Sequence, residues 1–215
     1  MENKPKLKAL FYPDVKFETL FIPYIYQEIY LDGLYVDIFN TKSDMVVLDV
    51  GANIGIVTDY MRPYCKKLYA IEPAEQHFAA LKKNKEYNEW DNVEIFKLAL
   101  ADKDGEMTLN LNEHNRTCNS LTLDYGQGGE TVETMRIDTF LDKNNIEKVD
   151  FMKFDVEGAE DMILRSAGFQ KVVDRIDAIE VEFHHPNWNE LAKYMMELGY
   201  KARRYDSLAI VLLFS

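Results

Sequence analysis

The segment VVLDVGANIG runs an apolar stretch from Val46 into Asp49 and then turns through Gly51, Asn53 and Gly55. Glycines let a backbone pass close beneath a bound nucleotide-like ligand, and the first N–H groups of a following helix attract anions. A tight strand-to-helix turn that binds nothing has the same appearance. Glu72 closes the next apolar segment, KKLYAIE. An acid at the carboxyl end of a second strand can accept hydrogen bonds from both hydroxyls of a ribose. Together with the glycine turn, that role outweighs a helix-start acid stabilised by the dipole. The pair suits NAD or S-adenosylmethionine (SAM). The turn lacks the third-glycine spacing of G-x-G-x-x-G, however, and the chain is short for a two-domain dehydrogenase.

A second group of candidates follows later, in VDFMKFDVEGAE and IDAIEVEFHH. Period-two alternation puts Val149, Phe151, Lys153 and Asp155 on one face and carries Asp155 to the carboxyl edge of a sheet. There it could touch the amino group of a ligand, act as a base toward a hydroxyl, or cap the helix expected from Glu157. Glu157 itself is expected in that helix's first turn. Alternation also groups Ala178, Glu180, Glu182 and His184, and Glu180 is expected to pair with Lys153, because buried charges need partners. Nearer the ligand-facing end, His184 could take a proton from a hydroxyl, with Glu182 or Asp155 orienting the ring, although a lone histidine is more often structural. His185 is a weaker duplicate. Asp155, Glu182 and His184 would also suit Mg²⁺, but the ligand spacing is not diagnostic and no metal is expected.

These side chains need a scaffold, and the chain is long enough to supply one. Its 215 residues, 47% hydrophobic and 29% charged, suit a single domain with a real core. With 25 Lys and Arg against 37 Asp and Glu, the net charge of −12 gives no drive toward a phosphate backbone or an anionic membrane. Two cysteines, Cys65 and Cys118, make no disulfide framework and suit a reducing compartment. Lys4, Lys6 and Lys8 are followed by no apolar leader core, and no run approaches the ~18 apolar residues of a membrane span. The expectation is a soluble cytoplasmic protein, with homo-oligomerisation open.

Residues 1–44, rich in tyrosine and phenylalanine, are expected to form a cap segment ahead of a domain over 45–215. Periodicity predicts strands over 45–50, 66–72, 92–100, 149–156 and 176–185, and a terminal antiparallel pair in KARRYD and LAIVLLFS. It predicts helices over 55–64, 74–88, 138–146, 157–169 and 187–200. Pro73 would start the second of these, with Phe78, Leu81 and Lys85 on one face, and Asp138 would cap the third. Residues 101–136 read as a hairpin insertion carrying His114, Asn115, Arg116, Asn119 and Ser120. It could be a loop over a ligand or simply a flexible edge. Alternating strands and helices indicate an α/β sheet covered on both faces. Trp188 and the N-terminal tyrosines could stack on a sugar, though such residues more often pack.

The ordered strings VVLDVGANIG, AIEPAEQHFAALKKN, ALADKDGEMTLNL, RIDTFL and VDFMKFDVEGAEDMIL resemble the FkbM-type SAM-dependent methyltransferases over roughly 45–185. The resemblance implies a Rossmann-like, mostly parallel seven-stranded sheet in the order 3-2-1-4-5-7-6. It implies that Asp49, Gly51, Asn53 and Gly55 form the turn beneath the methionine part of SAM and that Glu72 holds the ribose. Ala99, Leu100 and Asp102 would flank or bond the adenine. It further implies O-methylation of a small hydroxylated, sugar-like acceptor, releasing S-adenosylhomocysteine. The alternatives are a SAM enzyme acting on RNA or protein and a non-catalytic nucleotide-binding or interaction module. Glu75 stands where the family usually has proline, a helix-surface change that leaves the ribose assignment intact.

Overall fold

Strand β1 (Met45–Val50) is buried along nearly its whole length, as a two-sided apolar run in a parallel sheet must be. In this computed structural model the described residues are 44–112, 118–184, 188–204 and 209–214. The expected cap segment, apart from Asp44, and His114, Asn115, Arg116 and His185 lie outside them. The chain divides into two units, one ending at Lys97 and the other beginning at Leu98.

In the first unit, helix α1 (Ile56–Met61) and a single 3-10 turn (Arg62–Tyr64) lead to β2 (Cys65–Ile71), then to helix α2 (Glu75–Asn88) and β3 (Val93–Phe96). Pro63 lies in that turn, where the α-helix has already ended. The strands lie in the order β3-β2-β1, all parallel, with Asp49 opposite Ala70 and Val50 opposite Ile71. Helix α2 starts at Glu75 after Ala74, one residue later than the expected start at 74. Its buried stripe is His77, Ala80, Leu81, Asn84 and Asn88 rather than the Phe78, Leu81 and Lys85 face. The polar members are buried because they are bonded: the Asn84 amide donates to the Ile54 carbonyl at 2.7 Å, and that of Asn88 to the Asn84 carbonyl at 2.9 Å.

In the second unit, the strand expected over 92–100 proves to be two pieces. After β3, Ala99–Leu100 (β4) pairs in parallel with β6 (Gly129–Met135), which also pairs antiparallel with β5 (Gly105–Asn110), so the expected insertion contributes to a small three-stranded sheet β4-β6-β5. Helix α3 (Ile137–Lys143) follows Arg136, not Asp138. The Asp138 carboxylate is taken instead by the Arg136 guanidinium and the Lys171 ammonium, which hold its pKa below the ordinary value against the opposing effect of burial. Strand β7 (Phe151–Phe154) leads to two short helices, α4 (Glu160–Leu164) and α5 (Ala167–Gln170), where one longer helix was expected. The break falls at Ser166, whose hydroxyl accepts the Phe169 N–H and caps α5.

Strand β8 (Ala178–Glu182), helix α6 (Trp188–Glu197) and the antiparallel pair β9 (Tyr200–Arg204) and β10 (Ala209–Phe214) complete the unit. Its larger strands lie in the order β7-β8-β10-β9, β7 parallel to β8 and β10 antiparallel to both neighbours. The chain is thus α/β with a mostly parallel central sheet. No helix among the described residues is long and apolar enough to cross a membrane.

Candidate active site

Between β1 and α1 the backbone adopts left-handed φ at alternate residues: Gly51 (+80°), Asn53 (+52°) and Gly55 (+92°). Asparagine is one of the few side-chain-bearing residues that visits this region readily. The turn is bonded throughout. The Gly51 and Ala52 N–H groups donate to the Ile71 carbonyl at 3.0 Å, and the Ile54 N–H to the Asn53 side-chain oxygen at 2.8 Å. The Asn53 N–H donates to Glu72 Oε2 at 2.8 Å. Glu72 follows β2, nearly buried, and its other oxygen accepts the Ala74 N–H at 2.9 Å, with His77 Nδ1 at 3.6 Å. Its carboxylate therefore spans the glycine turn and the start of α2. Two oxygens offer about four acceptor directions, so capacity for ribose hydroxyls is left over. Asp49 is fully buried, and Thr58 donates to its Oδ2 at 2.5 Å. Gly55 serves packing: a Cβ there would lie 2.7 Å from Leu81 Cδ1 and 2.9 Å from the Trp90 ring.

Of the expected adenine residues, Ala99 and Leu100 are buried in the small sheet, and Asp102 is exposed just beyond it.

The second unit gathers the later candidates. Asp155 lies one residue past β7, and its Oδ2 accepts from Lys153 Nζ at 2.9 Å. Its Oδ1 is buried without a hydrogen-bond partner among the described residues. Lys153 and Glu180 are register partners on β7 and β8. His184 stands among carboxylates: Glu160 Oε1 is 3.1 Å from Nδ1, while Glu157 Oε2 and Glu182 Oε1 each lie 3.4 Å from Nε2. The structure thus brings Asp155, Glu182 and His184 into one cluster and adds two acids.

Glu160 opens α4 fully buried, with the Gly158 N–H donating to its Oε1 at 3.0 Å. Glu157 is not in a helical turn at all. Its φ of +51° precedes Gly158 at +99°. Ser120 secures this turn by donating its hydroxyl to the Glu157 carbonyl at 2.5 Å. The Ser120 oxygen in turn accepts the Thr122 and Leu123 N–H groups at 3.1 and 3.0 Å. A sequence signal for Glu157 existed in Gly158, because a glycine shortly after a strand punctuates the chain and favours a turn over a helix start. Trp188 rests against Phe183, ring centroids 6.4 Å apart.

Burial and the Asp155 charge raise the Glu157 pKa to about 8, with the Glu182 charge adding and His184 and the Cys118 thiol opposing. Burial would lower His184, but hydrogen bonds to Glu160 and Glu182 and the charges of Glu157 and Asp155 outweigh it and raise the ring to about 11. Asp155, Glu157 and His184 each bring one possible ligand atom within 4.8 Å of the others. Lys153 and protonated His184 already supply positive charge to these acids, so we assign no ion here. Both raised groups bind protons more tightly folded than unfolded, so their stabilisation fades as pH rises. The Glu157 share is complete below about 4.5 and lost through about 8; the His184 share is complete below about 6.5 and lost through about 11. The urea midpoint is accordingly expected to fall between about pH 5 and pH 9, and Glu157→Gln should flatten the lower part of that fall. A midpoint independent of pH in the unsubstituted protein would contradict this.

A glycine turn after the first strand, with an acid at the end of the second, defines a nucleotide-binding class of α/β protein, and comparison with known proteins narrows that class. A putative methyltransferase from Streptococcus mutans, solved with S-adenosylhomocysteine, shares the fold. Its TM-score is 0.54 at 12% identity, covering 84% of this chain and 95% of that one. The family model described as the methyltransferase FkbM domain matches residues 49–202, and the chain belongs to that family. Methyltransferase 1 of Beauveria bassiana is 29% identical over 183 residues, 75% of this chain and 73% of its own length. Methyltransferase sdnD of Sordaria araneosa is 30% identical over 200 residues, 76% of each chain. The protein is thus a methyltransferase on a fold that a relative of known structure uses to hold S-adenosylhomocysteine.

Proposed function

We propose that the protein transfers the methyl group of SAM to a hydroxyl of a small, sugar-like or natural-product acceptor. In this reading Asp49, Gly51, Asn53 and Gly55 form the seat of the methionine part and Glu72 holds the ribose. Ala99, Leu100 and Asp102 attend the adenine. The acceptor's proton enters the acidic cluster around His184, to which Asp155 and Glu182 belong. Methyl transfer is an in-line displacement at a sulfonium carbon, so the protein must align the acceptor oxygen and dispose of its proton.

The observation that carries the hydroxyl assignment is Asp155 Oδ1, which, like Glu160 Oε2, is a buried carboxylate oxygen with no hydrogen-bond partner among the described residues. A buried acceptor in this state costs about 1–3 kcal/mol, which a donating hydroxyl would relieve. The net charge of −12 disfavours an RNA substrate. The test is a screen of hydroxylated sugars and aglycones with isotopically labelled SAM. Label recovered as a methyl ether supports the proposal; label recovered only on nitrogen, carbon, RNA or protein refutes it.

A further inference from the structure

Glu157 holds an uncommon backbone conformation for a residue that bears a side chain. Neither neighbouring element imposes it, since β7 has ended at Phe154 and α4 begins only at Glu160. The conformation is held by Ser120, which bonds the Glu157 carbonyl. Thr122 and Leu123 help to hold it, lying so close to Gly158 that a Cβ there would meet both at 3.2 Å. Strained backbone persists where the surroundings over-determine it, and such places concentrate at functional sites. Here the consequence is local and chemical: the Glu157 carboxylate is directed at His184 Nε2 and leaves 17% of its side chain exposed.

The imidazole is poorly placed to receive a proton. Glu160, buried and itself anchored by the Gly158 N–H, occupies Nδ1, while Nε2 lies between Glu157 and Glu182. A ring with acids at both nitrogens is a held cation. We propose that Glu157 is the catalytic base of the transfer, and that His184, fixed by Glu160, is the residue that positions it. The proposal rests on the methyl transfer to a hydroxyl proposed above. An acceptor oxygen lone pair forms the new O–CH₃ bond as the S–CH₃ bond breaks with its electron pair passing to sulfur. The O–H proton then goes to the Glu157 carboxylate, giving a methyl ether, S-adenosylhomocysteine and a carboxylic acid.

The charged and titratable groups facing Glu157 among the described residues are Asp155, Glu182, His184, the Cys118 thiol and the Tyr125 phenol. Their balance with burial raises its proton affinity into the range where a general base works near neutral pH. The first measurement needs no acceptor: infrared titration of the full chain with ¹³C-labelled glutamate. A protonated carboxyl band should disappear as pH passes about 8, and Glu157→Gln should lack it. The second uses an acceptor found in the labelled-SAM screen. Turnover should rise with pH through the same range, and Glu157→Gln should lose about a hundredfold or more in kcat at unchanged S-adenosylhomocysteine affinity.

Glu160→Gln should lower the titration midpoint of the His184 ring, read by ¹⁵N NMR, and shift the rate profile. Rescue by Glu160→Asp is not expected, because the shorter arm cannot reach Nδ1. A Glu157→Gln protein that retains the band, or turns over within a few fold of the unsubstituted protein with the same pH profile, overturns the assignment. Failure of the SAM reading would register separately, as the unsubstituted protein showing no calorimetric heat with S-adenosylhomocysteine.

Discussion

Replacing Glu72 with glutamine should weaken S-adenosylhomocysteine binding about a hundredfold in Kd, measured by titration calorimetry. The estimate follows from the loss of one hydrogen bond between a ribose hydroxyl and the carboxylate, about 1.5–3 kcal/mol, the glutamine oxygen still serving the other hydroxyl. A second effect accompanies it. Both Glu72 oxygens already accept backbone N–H groups, from Asn53 and Ala74. A glutamine amide offers only one acceptor, so its NH₂ group must confront one of those donors in a buried place. The variant should therefore also lose about 1–3 kcal/mol of stability in urea. Binding is to be compared at a temperature where the urea curve shows both proteins folded. A folded Glu72→Gln protein with unaltered affinity would remove Glu72 from the cofactor site and leave it as a brace for the turn.

The same residue shows what the sequence can reveal. The place of Glu72 beside the glycine turn was legible because it is set locally: an acid ending an apolar strand, one turn and one helix after a glycine-bearing loop. The turn at Gly51, Asn53 and Gly55 was legible for the same reason, since left-handed backbone demands those residue types. The purpose of Gly55 was not, because Leu81 reaches it from the middle of α2 and Trp90 from just past that helix, and only the packed unit shows how little space a Cβ would have.

Non-local pairing also explains the misread strand over 92–100. Hydrophobicity continues through Leu98, Ala99 and Leu100, but the last two are claimed by Thr134 and Met135, more than thirty residues later. Glu160 was hidden inside an ordinary amphipathic helix pattern. Its burial has a purpose only through His184, 24 residues further on. Asn84 and Asn88 escaped notice because hydrophobic periodicity does not register an amide that is buried in order to bond a carbonyl.

Gly55→Val should be the most damaging single substitution in the first unit. Two costs coincide. Valine at φ +92° would be forced into backbone that L-residues avoid, at about 1–2 kcal/mol. Its Cβ alone would come within 2.7 Å of Leu81 Cδ1 and 3.0 Å of two Trp90 ring carbons, and both neighbours are essentially unexposed. Overpacking of a well-filled core adds about 1–3 kcal/mol. The sum is a large fraction of the 5–15 kcal/mol typical of a domain.

Gly126 separates the two contributions. It also has positive φ, +66°, yet a Cβ there would meet nothing within 4 Å. Gly126→Ala should therefore report the backbone cost alone, and Gly55→Ala should exceed it by the cost of the clash. Urea unfolding followed by tryptophan fluorescence suits the comparison, because Trp90 is one of two tryptophans and lies against Gly55. Equal losses for the two alanine variants would mean that α2 can retreat from the turn. In that case the Asn84 bond to the Ile54 carbonyl, which ties α2 to the same turn, would have to be weaker than its 2.7 Å length implies.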